Sequence, residues 1–335
     1  MPDLPLPKIA RYGYRSFDRQ WAFADTRLGD FIKPSLWQIH SSKQLYLTSL
    51  LTGILGTGQA ASVSAEVPDL HYFRGSFGGK NVIPLWRDVE ASEPNITAGV
   101  LEQISLQLGG PVDAEGLFAY CYALLACPGY VERFSEELTI PGPHVPITKD
   151  AALFQTVSAL GKRLIFLHTY GERCVPNDVA EGDIPCGSAI IVTDFSTHEA
   201  DYPEDFAYDA TTKQLRIGAG IIGNVAAEVW QFSVSGLKVV KSWLAYRMKG
   251  GAGKASSALD DIRPRTWTLE FNYDLMQMLW VLEATIALFP ELQAQLDAVI
   301  ASEVFTALEL PQPTAAEREQ PRQDEDSSHH PTLAL

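Results

Sequence analysis

The chain has 335 residues, 46% hydrophobic and 20% charged, with a formal net charge of −15. Length and composition support a sizeable core, in one large domain or two modest ones, and exclude wholesale disorder. The charge opposes nucleic-acid binding unless the cations are gathered locally, because a duplex is itself a dense line of negative charge.

No run of eighteen apolar residues appears, which excludes a membrane span on composition. The opening MPDLPLPKIARYGYRSF lacks the apolar stretch of a secretory signal. Cys121, Cys127, Cys174 and Cys186 form no CxxC pair. They read as free thiols of a cytoplasmic protein, without a zinc site or disulfides.

In chain order, RYGYRSFDRQWAFADTR interleaves Arg11, Arg15, Arg19 and Arg27 with Tyr, Phe and Trp. VPDLHYFRG places Asp69 near His71, but no second carboxylate and lysine follow at nuclease spacing. AEGLFAYCYALLACPGYVERFSEEL reads as a helix divided at Pro128. Phe154, Val157, Leu160 and Leu164 mark another helix. At its end His168, close to Glu172 and Arg173, reads as a structural hydrogen-bonding group more readily than as an acid–base catalyst. AIIVTDF is a short apolar strand, and YDATTKQLRI a hairpin turning between Tyr208 and Leu215. Trp230, Phe232 and Val234 alternate as a strand would. Leu275, Leu279, Leu282 and Ile286 share a helical face; Pro290 interrupts, and Leu292, Leu296, Val299 and Ile300 resume it. This predicts a helical hairpin or a kinked helix. The expected class is α+β, with mixed helices, a mostly antiparallel sheet and a C-terminal helical hairpin. The domain runs over 1–308, as one unit or two subdomains, and a disordered acidic tail over 309–335.

YRMKGGAGKASS at 246–257 has the look of a phosphate-binding loop. The NTPase pattern GxxxxGK[ST] needs glycine where Met248 stands and a hydroxyl where Ala255 stands, so it fails at two positions. GTGQAAS at 56–62 lacks the lysine, and HExxH, GxSxG and GxGxxG are absent. No catalytic set and no cofactor are expected. What remains is charge: between Leu237 and Arg265 seven cations stand against Asp260 and Asp261, seven minus two or +5. Glycines 250, 251 and 253 let backbone amides approach a phosphate closely. Taken singly, each basic segment also reads as a solvated face.

YRSFDRQW, LWQIHSSKQLYLTSL, PDLHYFRGSFGG and EPNIT occur in that order. FAYCYALLACPGYVERFSEEL, VPITKD, LGKRLIFLHTYGER and VWQFSVSGLKVVKSWLAYRMKGGAGKASSALDDI follow. This series resembles the C-terminal specificity domain of the type ISP restriction-modification enzymes, over about residues 11–300. In those long chains a nuclease, an ATP-driven translocase and an adenine methyltransferase precede the target-recognition domain. Ser16 stands where the family more often shows proline.

The resemblance implies a non-catalytic, sequence-specific subunit that reads double-stranded DNA beside a methyltransferase or translocase-nuclease partner chain. It would be a separate subunit or a fragment of a split enzyme, since Met1 lies only a few residues before the first matching motif. The expected phosphate contacts are Arg15, Arg19, Lys238, Lys241, Arg247, Lys249, Lys254, Arg263 and Arg265. Two alternatives are a protein-interaction module with little DNA affinity and a nuclease built on Asp69.

Overall fold

The computed structural model describes residues 9–25, 33–73, 79–249 and 264–319. The chain opens with an antiparallel hairpin of β1 (Ile9–Arg15) and β2 (Asp18–Phe23). Phe17 makes its turn at φ 64° and has its ring buried edge-on against His168 and Phe232. Burial of an aromatic ring offsets the cost of that left-handed backbone. Gly13 exchanges backbone hydrogen bonds with Val67 and Asp69, and a Cβ there would press on Ser64 and Tyr72 at 3.1 Å.

After the short helix α1 (Pro34–Gln38) come β3 (Tyr46–Thr48), β4 (Ser62–Ser64) and β5 (Val82–Pro84). They form a sheet of order β4-β3-β5, antiparallel throughout.

Helices α2 (Val100–Leu108), α3 (Ala114–Ala126), α4 (Pro128–Arg133) and α5 (Ala151–His168) follow. Asp113 and Asp150 cap α3 and α5 by accepting from Gly116 and Leu153 backbone N–H groups. Pro128 divides the first of the two expected helices as its sequence indicates, standing in the first turn of α4. Helices α3 and α5 pack closely because Gly161 has no side chain; a Cβ there would lie 1.8 Å from the Ala119 carbonyl oxygen.

Next comes a four-stranded antiparallel sheet, ordered β6-β9-β8-β7. Its strands are β6 (Ile190–Thr193), β7 (Phe206–Asp209), β8 (Gln214–Ile217) and β9 (Gly220–Gly223). The expected AIIVTDF strand and the hairpin after Tyr208 are both here. The first part of the strand expected over 230–234 is helix instead: α6 (Ala227–Gln231) buries Val229 and Trp230 on one turn. Three alternating residues do not separate the two periods, and only Ser233–Val234 (β10) pairs, with Leu237–Lys238 (β11). Helix α7 (Val239–Ala245) continues directly from β11.

The C-terminal hairpin is corrected to one helix, α8 (Leu269–Ala301), with Pro290 inside it. Leu288, Leu292, Leu296 and Val299 carry the buried stripe straight across the proline. Continuous packing outweighs the roughly 3 kcal/mol that an interior proline costs, and Pro290 itself is exposed, where water can serve the carbonyl it leaves unbonded. By length and apolarity α8 could cross a membrane, yet its apolar stripe is buried against α3, α5 and α6, as in a core helix.

The tail expected from 309 is partly built into the fold. Glu309 bonds Lys149 and the Thr306 amide, and the short helix α9 (Ala315–Arg318) has a Thr314–Glu317 capping box. Glu317 also accepts from the Ala98 amide. Residues 320–335 lie outside the described residues.

His168, at the end of α5, ties these layers together. One ring nitrogen meets the Tyr122 hydroxyl of α3, and Nε2 lies 2.9 Å from Thr285 Oγ1 of α8. Burial lowers its pKa to about 3, so the ring is neutral. It is the structural histidine its sequence context indicates.

Candidate nucleic-acid interface

The two basic segments meet. Arg247, just after α7, donates from Nη1 and Nη2 to Asp18 Oδ2 and Oδ1 at 2.9 and 2.7 Å. Its guanidinium lies 3.6 Å from the Trp243 ring centroid and 5.1 Å from that of Phe271. Burial pushes the Asp18 carboxyl up while Arg247 pulls it down. Beside this pair Tyr14 and Tyr246 pack edge to face at 5.4 Å. Arg15 lies against both rings and donates to Tyr246 Oη at 3.1 Å and Asp69 Oδ1 at 3.3 Å.

The turn end of the hairpin and the chain after α7 therefore share one surface, but the arginines that join them are structural. Arg247 is fully buried, which corrects its expected place as a phosphate contact: its two Nη atoms are taken by Asp18 and the Trp243 carbonyl. Arg15 is buried too, spent on Asp69 and the tyrosines. Arg19 lies over Tyr170 at 3.7 Å and donates to Glu172 and Gln277. Lys238 donates to the Gln231 carbonyl, and Lys241 packs 5.1 Å from the Trp230 ring centroid. Lys249 is 56% exposed in a 3.2 Å pair with Glu204, and Arg265 is exposed. Lys254, Arg263 and the whole GGAGK stretch lie outside the described residues.

The hairpin also spends its cations on acids elsewhere. Arg11 pairs with Glu270 and Asp274 of α8 at 3.7 and 3.6 Å and stacks on Trp21, whose Nε1 donates to Glu270. Burial raises the Asp274 pKa, and Arg11 opposes the shift. Next to Arg19, Glu66 is pushed up to about 7, first by burial and then by Glu172. Asp69 accepts from Tyr12 Oη, Arg15 and the His71 amide, so it organises a turn. Among the described residues no group of three His, Cys, Asp or Glu side chains could hold a metal ion.

Sequence reasoning missed Asp18, Tyr14, Tyr170 and Tyr246. The pairing of Asp18 with Arg247 spans 229 positions, and nothing in the local pattern of either residue marks it.

A family model described as the Type ISP C-terminal specificity domain matches residues 3–278. No curated protein sequence matches the chain. The fold is similar to three solved structures. A nuclease-deletion mutant of the Type ISP restriction-modification enzyme LlaGI, in complex with a DNA substrate mimic, gives a TM-score of 0.55 at 15% identity. The DrdV–DNA complex gives 0.61 at 16%, and the ATP-dependent Type ISP enzyme LlaBIII bound to DNA gives 0.60 at 15%. The matches cover 87%, 85% and 90% of this chain, but only 21%, 28% and 19% of those proteins. At such identities the likeness shows a common fold.

Proposed function

The chain belongs to the Type ISP C-terminal specificity domain family, and on that premise we propose that it reads a target sequence in double-stranded DNA and is not catalytic by itself. It works in the cytoplasm with a methyltransferase or translocase-nuclease partner. The observation that carries this reading is the junction of the two basic segments at Arg247–Asp18 and Tyr14–Tyr246. That junction anchors the chain just before exposed Lys249, and exposed Arg265 follows where the described chain resumes. The intervening 250–263 carries Lys254 and Arg263. The phosphate contacts reduce to Lys249, Lys254, Arg263 and Arg265, while Arg15, Arg19 and Arg247 hold the platform in shape. An acidic protein can grip a duplex this way because screening confines its remaining charge to about 8–10 Å.

Selection from randomised duplexes, followed by anisotropy titration, tests the reading. One enriched sequence is expected, with affinity falling with salt at a log–log slope of about −3 to −4 for four phosphates. No enrichment together with a slope near zero would falsify it.

A further inference from the structure

Leu215 and Ile217 of β8 are buried, so the alternate positions Gln214 and Arg216 lie on the outer face of its sheet. Arg216, 45% exposed, donates from Nη1 to Asp205 Oδ1 at 2.9 Å and from Nη2 to Asp205 Oδ2 at 3.4 Å. Nη1 gives its other hydrogen to the Gly218 carbonyl at 3.2 Å. The guanidinium is held by its far end. Its side edge, Nε–H and the second Nη2 hydrogen, has no partner among the described residues. Opposite Arg216 on β7 stands Ala207, a side chain too short to cover that edge. A surface ion pair of this kind adds little to stability. It does fix a planar donor fork in place, so little side-chain entropy is lost when the fork meets two acceptors.

The fork stands beside cations already assigned to the duplex. The Lys249 amide donates to the Pro203 carbonyl at 2.9 Å, and its Nζ pairs with Glu204, the residue before Asp205. The Asp205 carbonyl accepts from the Gly218 amide, at the end of the same hairpin. Trp267, two residues after Arg265, packs against Tyr202 with ring centroids 6.2 Å apart. Residues 202–205 therefore gather the segments of Lys249, Arg265 and Arg216 on one side of the fold.

We propose that Arg216 reads a guanine in the major groove, its Nε and Nη2 donating to O6 and N7, with Asp205 as the positioning residue; the inference rests on the DNA-reading role above. Guanine presents two acceptors side by side in that groove, whereas adenine pairs an acceptor with a donor. The carboxylates of Asp205 and Glu204, 69% and 72% exposed beside the fork, oppose a charged phosphate but not a neutral base edge. Strand β7 is the edge of its sheet, and the major groove admits a two-stranded ribbon such as β7–β8.

The test selects duplexes from a randomised library with the full 335-residue chain and with Arg216→Ala. The wild type is expected to enrich a site with one G·C pair that the variant leaves unspecified while keeping the other positions. Replacing that guanine by adenine should weaken the wild type about 10- to 100-fold and leave Arg216→Ala unaffected. Anisotropy then compares the enriched duplex with one carrying 7-deazaguanine, which lacks N7, and one carrying inosine, which keeps N7 and O6 but lacks the minor-groove amino group. The first should bind the wild type about 10-fold more weakly and the second as well as guanine. Arg216→Lys, which keeps the charge without the fork, should lose the discrimination. Both variants should keep the wild-type melting temperature and salt slope. Indifference of the wild type to 7-deazaguanine at every guanine of the site overturns the assignment and needs no variant to fold. An unchanged base preference in Arg216→Ala also overturns it, as does a uniform loss on all duplexes with a flatter salt slope, the mark of a phosphate contact. These results leave the DNA-reading role standing; no enrichment by the wild type removes both.

Discussion

Asp18 and Arg247, 229 positions apart, form a two-pronged ion pair with side chains 1% and 0% exposed. The pair fastens the N-terminal hairpin to the end of α7. Removing one partner leaves the other charge buried and uncompensated, which costs about 3–5 kcal/mol. Asp18→Ala is therefore expected to lower the unfolding free energy by about that much in urea. Arg247→Met combined with Asp18→Leu, which removes both charges, should recover most of the loss. A double variant no more stable than Asp18→Ala would show that the hydrogen bonds outweigh the cost of desolvation.

Exposed cations behave differently. Lys249→Ala and Arg265→Ala should leave stability within about 0.5 kcal/mol of wild type, as surface changes do. Each should flatten the salt slope of duplex binding by about 1 and weaken all sequences alike. Anisotropy on an enriched and a scrambled duplex checks both points. A loss confined to the enriched sequence would make either residue a reader of bases.

Helices and hairpins were legible in the sequence where the signal is local. The apolar spacing around Phe154–Leu164 and the turn residues between Tyr208 and Leu215 each fix their element within one window. Pro290 misled because its cost is local, whereas the packing of Leu288, Leu292 and Leu296 that overrides it is tertiary. The basic segments were found as composition, but their division of labour was not. Whether an arginine meets solvent or a buried carboxylate depends on what the fold brings beside it, as Asp18 is brought to Arg247 and Glu172 to Arg19.

Glu66 makes stability depend on pH. It is buried beside Glu172, with Arg19, Arg173 and Arg11 opposing, and its pKa rises to about 7 from an ordinary 4.5. The folded state holds this proton more tightly than the unfolded chain. Its contribution is complete below pH 4.5 and is lost as pH rises through 7. A rise from 4.5 to about 7 is worth about 3 kcal/mol. Glu66→Gln, which keeps the amide neutral, should gain on wild type between pH 5 and 8 by up to that amount. Urea midpoints at pH 5, 6.5 and 8 read the gain directly; a constant difference would mean that Glu66 is ionised throughout.

His168 acts in the opposite direction. Burial between Tyr122 and Thr285 lowers its pKa to about 3 from 6.5, so the unfolded chain binds the proton more readily. The stability that the neutral ring confers is present above pH 6.5 and is lost as pH falls toward 3. Over that window the loss approaches about 5 kcal/mol if the core stays dry. Nitrogen NMR of the imidazole in the folded protein should show a neutral ring still in place at pH 5. His168→Ala adds a second reading: it takes one hydrogen-bond partner from each of two buried hydroxyls and opens a cavity, for a cost of about 3–5 kcal/mol at pH 7. That cost should shrink as the pH is lowered toward 4, because the alanine variant has no proton to take up on unfolding. An imidazole that titrates near 6.5 without loss of the fold would place water beside the ring and remove the acid sensitivity.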